Sequence, residues 1–197
     1  MSDFEIVTRR LTLREWRDDD RAEFARMNAD PQVMEFFLAP LRQEESDAAV
    51  DRFVDEFRRR GFCPWAVEER ESNSFVGCVG LHEVPESLSF APAVEVGWRL
   101  ARSFWGRGYA TEGATSSVNF AFGVLGLDEV VSMTTLVNRR SSSVMERLGM
   151  QRDPAEDFEH PNIPLGHDLR PHMLYRLTRS SWRSRASAEL IEGSNST

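Results

Sequence analysis

The sequence predicts an α/β domain built on a mixed sheet, and three observations carry that expectation. The stretch Glu95 to Ala114, EVGWRLARSFWGRGYATEGA, joins a strand, a glycine-rich turn and a helix in twenty residues. The segment Glu44 to Arg60 places Val50, Phe53, Val54 and Phe57 on one helical face. It has acids at its start, Arg58, Arg59 and Arg60 at its end, and Gly61 as a stop. Short segments with a two-residue apolar period flank both, giving the order strand, helices, three strands, helix, strand, helix, strands, which calls for helices packed on a sheet.

Taken in order, Val7 to Glu15 alternates Leu11 and Leu13 against Thr12 and Arg14 and reads as a first strand. Asp18, Asp19 and Asp20 supply an N-cap signal for a short helix running toward Asn28. Asp30-Pro31 restarts a second helical turn carrying Val33, Met34 and Phe37. Pro64 to Glu69 and Ser74 to His82 read as two strands around the turn Arg70 to Asn73. The loop Glu83 to Ala93 holds two prolines and is expected to be flexible. After the central helix, Val130 to Val137 reads as a strand, Ser141 to Leu148 as a short helix ending at Gly149, and Met150 as the opening of another strand. His172 to Thr178 alternates as a last strand.

Within the central stretch, Val94, Val96, Trp98 and Leu100 form the apolar face of a strand, so Glu95, Gly97 and Arg99 point the other way. Trp105-Gly106-Arg107-Gly108-Tyr109-Ala110 places two glycines and an alanine where larger side chains would block a ligand from the backbone. Ala110, Ala114, Val118, Ala121 and Phe122 then recur at helical spacing, while Gly113, Ser116 and Ser117 keep the helix thin. Unpaired N–H groups and the positive end of the macrodipole converge where that helix starts, which suits a pyrophosphate. A dinucleotide fingerprint would need a third glycine where Thr111 stands, and a P-loop needs a lysine. The chain has no lysine, which also removes Schiff-base and pyridoxal-phosphate chemistry.

The 197 residues, 41% of them hydrophobic, suffice for one domain with a sizeable core, expected over residues 1–179. Residues 180–197 turn Ser-rich without a sustained apolar face and are expected to be a frayed tail. No apolar run is long enough to span a bilayer, and the two cysteines, Cys63 and Cys78, match a reducing compartment, so a cytoplasmic protein with no membrane partner is expected. A formal net charge of −8 argues against nucleic-acid binding. A strongly anionic ligand therefore needs local compensation, and Arg99, Arg102, Arg107, Arg139 and Arg140 fall in or beside the turn and the motif that follows.

That second motif is Asn138-Arg139-Arg140-Ser141-Ser142-Ser143-Val144-Met145-Glu146-Arg147-Leu148-Gly149-Met150. WGRGYATE followed by N-x-x-S-x-x-V-x-E-R-L-G-M resembles the GNAT N-acetyltransferase superfamily, closest to the branch containing ribosomal-protein N-terminal acetyltransferases, over roughly Thr8 to Arg179. The resemblance implies a mixed, mostly antiparallel sheet flanked by helices, with splayed central strands forming an acetyl-CoA cleft. It assigns backbone groups of Trp98, Arg99 and Leu100 to the pantetheine arm. Trp105, Gly106, Arg107, Gly108, Tyr109 and Ala110 fall to the pyrophosphate, and Asn138 to a hydrogen bond with the cofactor. Two positions depart from the family pattern: Trp105 stands where a polar residue is usual, and Met145 where many members carry a tyrosine acid.

The implied chemistry is acetyl transfer from acetyl-CoA, as co-substrate, to a primary amine of a small molecule or a protein N-terminus. An ammonium must lose a proton before it attacks, and Glu95 is the candidate base, through water; the competing reading is an ordinary surface carboxylate. Glu112, at a helix start, is sufficiently explained by the macrodipole. Ser141 is the candidate donor to the departing sulfur, against a plain capping role, with Tyr109 and Tyr175 in reserve. Asp153 to His172 mixes four prolines with His160, His167 and His172, and its spacing matches no metal-ligand motif, so no metal is expected. This segment is expected to shape the acceptor site. His82 reads as structural. A non-catalytic acyl-CoA-binding module remains the alternative function, and the sequence leaves a homodimer open.

Overall fold

The computed structural model describes residues 4–185. Its sheet has nine strands: β1 Glu5–Val7, β2 Leu11–Arg14, β3 Pro64–Glu69, β4 Ser74–Glu83, β5 Val94–Leu100, β6 Glu129–Thr135, β7 Gln151–Arg152, β8 Phe158–Glu159 and β9 Pro171–Thr178. The helices within the sheet order are α1 Asp20–Ala29, α2 Gln43–Arg60, α3 Tyr109–Gly123 and α4 Arg139–Arg147, and a further helix follows β9 from 179. Strand order is β1-β2-β3-β4-β5-β6-β9-β7, with β8 also on β9. Every pairing is antiparallel except β5 with β6, which run parallel and meet in register only at Glu95 and Val131. The sheet is thus mixed, mostly antiparallel and split at its centre, as expected. A parallel pair that touches at one register point leaves the β6-facing edge of β5 beyond Glu95 without a strand partner.

The two faces are covered differently. Val79, Leu81, Val96, Leu100, Tyr175 and Leu177 pack with Ala114, Val118, Ala121 and Phe122 of α3. A Cβ on Gly113 would sit 3.2 Å from Val79, so the thin side of α3 lets helix and strand approach closely. On the opposite face α1 and α2 cover β3 to β5 through Phe24, Met27, Ala49, Val50 and Cys78. Alternation therefore does not leave Glu95 on a solvent face: it is buried, at 7% exposure.

Several local expectations change for identifiable reasons. The first strand is a hairpin, because the Thr8 hydroxyl accepts from Leu11 N at 2.9 Å and turns the chain between β1 and β2. Asp20 does not cap α1; its carboxylate takes Arg14 Nη1 and Nη2 at 2.8 and 2.9 Å, and Arg17 N at 2.8 Å. The segment after Asp30 forms the expected helical turn, Met34 N on Asp30 O at 3.0 Å, and goes no further than consecutive turns. The loop after β4 is ordered by apolar burial: Val84 and Leu88 pack with Phe90, Val131, Leu174 and Phe158. β6 stops at Thr135, leaving Leu136 and Val137 exposed. Residues 180–185, expected to fray, continue a helix begun at 179, and Trp182 Nε1 donates to Asn119 Oδ1 on α3 at 2.8 Å. The rest of the expected tail, 186–197, lies outside the described residues.

Candidate active site

The split between β5 and β6 has the glycine turn at one end and Glu95 at the other. At the turn, Gly106 and Gly108 take φ of 73° and 79°, a left-handed conformation that other residues reach only with strain. Gly108 caps α3, and the N–H groups from Arg107 to Thr111 find no backbone acceptor among the described residues. Five free donors at a helix N-terminus fit a pyrophosphate. Around them Arg102, Arg107, Arg139 and Arg140 are exposed. Trp105 donates Nε1 to the Leu100 carbonyl at 2.8 Å, closing the turn onto β5, and its ring carries the Arg140 guanidinium at 4.6 Å. This accounts for an indole where a polar residue is usual.

Other candidates have different roles. Tyr109 is buried, its hydroxyl donates to Glu69, and Arg10 lies over its ring at 4.6 Å, so it ties α3 to β3. The bond to Glu69 raises its pKa. Tyr175 lies buried on the α3 face with its hydroxyl 3.3 Å from Glu146. Glu112 does more than offset a dipole: it accepts from Thr8 Oγ1, Arg10 N and Arg10 Nε at 2.7, 2.8 and 2.7 Å, clamping the first hairpin to α3. Burial alone would raise its pKa, but these bonds prevail and lower it.

Capping of α4 falls to Asn138, whose Oδ1 accepts Ser141 N at 3.2 Å. Asn138 Nδ2 donates to Thr134 Oγ1 at 2.9 Å and to Ser141 Oγ at 3.1 Å, so both amide protons are used within the protein, while Oδ1 keeps a second lone pair for a cofactor donor. Ser141 therefore is not the cap, and its own hydroxyl proton stays free to be donated. Met145, at the position where a tyrosine is usual, is 1% exposed in the core.

At the other end, Glu95 Oε2 lies 3.0 Å from His82 Nε2 across the β4–β5 register. Burial opposes the imidazolium, yet the charge and hydrogen bond of Glu95, followed by the charge of Glu56, prevail and raise the His82 pKa. His82 also lines a cleft of about 370 Å³ with Arg52, Phe53, Glu56, Arg59 and Arg60. The loop 153–171 folds over the same face. β8 pairs Phe158 with His172, the His160 and His172 rings lie 4.9 Å apart, and the charge of Glu95 reaches both. Burial lowers the pKa of each, favouring neutral rings. His167 stays exposed. His82 escapes sequence reasoning because its partner is fixed by a strand register set across a ten-residue loop. Among the described residues no group of three or more His, Cys, Asp or Glu is placed to hold a metal ion, and no helix is long and apolar enough to cross a membrane.

Between Glu95 and Arg99, on the same face of β5, Gly97 opens onto free space: a Cβ there would meet nothing within 4 Å. Gly97→Leu is expected to fold normally, since its backbone is not left-handed, and to lower kcat/KM by about 100-fold by displacing the acceptor. Thermal melting and steady-state kinetics check this. A full rate would place the acceptor elsewhere.

The model of the GNAT acetyltransferase domain matches residues 10–151. The chain is 30% identical over 184 residues to FsC-acetyl coenzyme A-N(2)-transacetylase of Aspergillus fumigatus, covering 90% of this chain and 77% of that one. It is 24% identical over 177 residues to YnaD of Bacillus subtilis, an uncharacterised N-acetyltransferase, covering 90% and 98%. An acetyltransferase of Agrobacterium tumefaciens C58 superposes with a TM-score of 0.73 at 26% identity, covering 91% and 96%. The chain belongs to the GNAT acetyltransferase family and is an acetyl-CoA-dependent acyltransferase.

Proposed function

We propose that the chain transfers acetyl from acetyl-CoA to a primary amine by direct attack in a ternary complex. The observation that carries this reading is buried Glu95 held by the partly exposed His82 at the point where β5 and β6 part, beside the open face of Gly97. Bound acetyl-CoA would supply a thioester. The N–H groups of 107–111 hold its pyrophosphate, and the free β5 edge at Trp98, Arg99 and Leu100 receives its arm. The named relative acts with acetyl coenzyme A at an N(2) position, which agrees in both donor and acceptor atom.

In this reading Glu95 takes the ammonium proton, directly or through water, with His82 holding the carboxylate and sharing the charge. The Ser141 hydroxyl donates at the departing sulfur. Ser141→Ala keeps the Asn138 cap on α4 but strands one Nδ2 proton, so Tm should fall by a few degrees while kcat falls by about tenfold or more. Equal rates would remove Ser141 from the chemistry. The defining test is free-thiol release from acetyl-CoA with amino-acid amides, short peptides, polyamines and aminoglycosides. Release with none of them, despite tight acetyl-CoA binding, would leave an acyl-CoA-binding module.

A further inference from the structure

Arg99 stands on the acceptor face with an unmet need for an anion. It shares the face of β5 occupied by Glu95 and Gly97, opposite α3, and lies across from Cys78. Its guanidinium rests over the Phe37 ring at 4.2 Å, and Nη1 donates to Asn28 Oδ1 at 2.8 Å. Asn28 is fixed in turn by donating Nδ2 to Ser46 Oγ at 2.9 Å, and both Asn28 and Ser46 are 0% exposed. The cation is therefore held from behind by a rigid, buried relay. Nε is buried without a hydrogen-bond acceptor, and among the described residues no carboxylate forms an ion pair with Arg99.

The contrast with Arg14 makes this informative. Arg14 is also withdrawn from solvent, and Asp20 and Glu68 both pair with it. A desolvated guanidinium with no counter-ion is costly, and an apolar side chain could stack on Phe37 without that cost. The neutral Asn28 accepts from Nη1 and brings no charge, so the cation keeps Nη2 as a donor for an incoming carboxylate. Arg99 lies on the face of β5 opposite the one that packs on α3.

We propose that Arg99 receives a carboxylate of the acceptor, so that the substrate class is an amine bearing a carboxylate. This rests on the amine transfer proposed above. Glu95 and Arg99 each stand two residues from Gly97, about 7 Å along the strand. Because the Arg99 guanidinium reaches from the strand to Phe37 and Asn28, the acceptor must carry its amine and carboxylate on opposite ends of a short spacer, as a dipeptide or a six-carbon amino acid does.

The test compares glycylglycine with glycylglycinamide, and 6-aminohexanoate with hexylamine, in the wild type, Arg99→Gln and Arg99→Lys. Calorimetry measures acetyl-CoA and N-acetylglycylglycine binding alongside. The wild type should prefer the acid of each pair by at least about tenfold in kcat/KM. Arg99→Gln should erase the preference through KM and abolish N-acetylglycylglycine binding, with the loss concentrated on the acid of each pair and not shared equally by its neutral partner. Arg99→Lys should retain part of the preference. A wild type that acetylates acids and neutral amines alike overturns the carboxylate assignment and leaves amine transfer standing. No thiol release with any amine overturns amine transfer, and N-acetylglycylglycine binding still decides the role of Arg99. Weaker acetyl-CoA binding in Arg99→Gln, with acids and amides losing rate equally, assigns the residue to the cofactor and overturns the proposal.

Discussion

Glu95→Gln is expected to lower kcat by about 100-fold or more while acetyl-CoA affinity stays near the wild-type value. The amide keeps the shape of the buried carboxylate and can still contact His82, so the fold should survive; what is lost is a proton acceptor beside Gly97. The pH profile separates this from a positioning defect. In the wild type the charge and hydrogen bond of Glu95 outweigh burial and raise the His82 pKa, so kcat/KM should climb through an apparent pKa above the ordinary histidine value as His82 gives up its proton. In the Glu95→Gln variant the burial of His82 is opposed only by the charge of Glu56, and the residual limb should move to lower pH.

Stability follows the same sign. Because the folded His82 pKa lies above its unfolded value, the contribution of the pair is complete below the unfolded pKa and disappears as pH rises through the folded one. Wild type and Glu95→Gln melting curves should therefore differ most at mildly acid pH and converge as pH rises. Retention of the full rate across the profile would exclude Glu95 as the base.

Gly108→Val should raise the acetyl-CoA dissociation constant on the order of 100-fold, about 2.7 kcal/mol. At φ 79° a β-branched residue is strained, and relief of that strain would turn the N–H groups of 107–111 away from their common target. The strain also costs stability, on the order of 1–3 kcal/mol, so Tm should fall by a few degrees. Gly108→Ala adds less bulk, since its Cβ would approach only Arg10 Nη2 at 3.4 Å, and keeps the measurement interpretable if valine folds poorly. Calorimetry against acetyl-CoA with circular dichroism as the fold control makes the comparison. Unchanged affinity in a folded variant would move the cofactor away from this turn.

Local pattern determined much of this protein. The glycine turn, the thin face of α3, the amphipathic α2 with its Gly61 stop, and the order of the strands all lie within one helix length or one strand repeat of the residues that encode them. Periodicity reports which side of its own element a residue occupies, and it placed Glu95, Gly97 and Arg99 together opposite the α3 face. It could not say that α1, α2 and the 153–171 loop bury that side too, which turns Glu95 from a surface acid into one held by His82. The pairing of His82 with Glu95 depends on a register set across the 84–93 loop, itself ordered by Val84 and Leu88 against β6 and β9. The isolation of Arg99 is likewise a property of everything around it: a missing counter-ion is visible only once every neighbouring side chain has been placed. Tertiary packing alone decides burial, cross-strand partners and unmet charge, because each depends on residues distant in sequence, and in this chain those are the features that make a site of a strand.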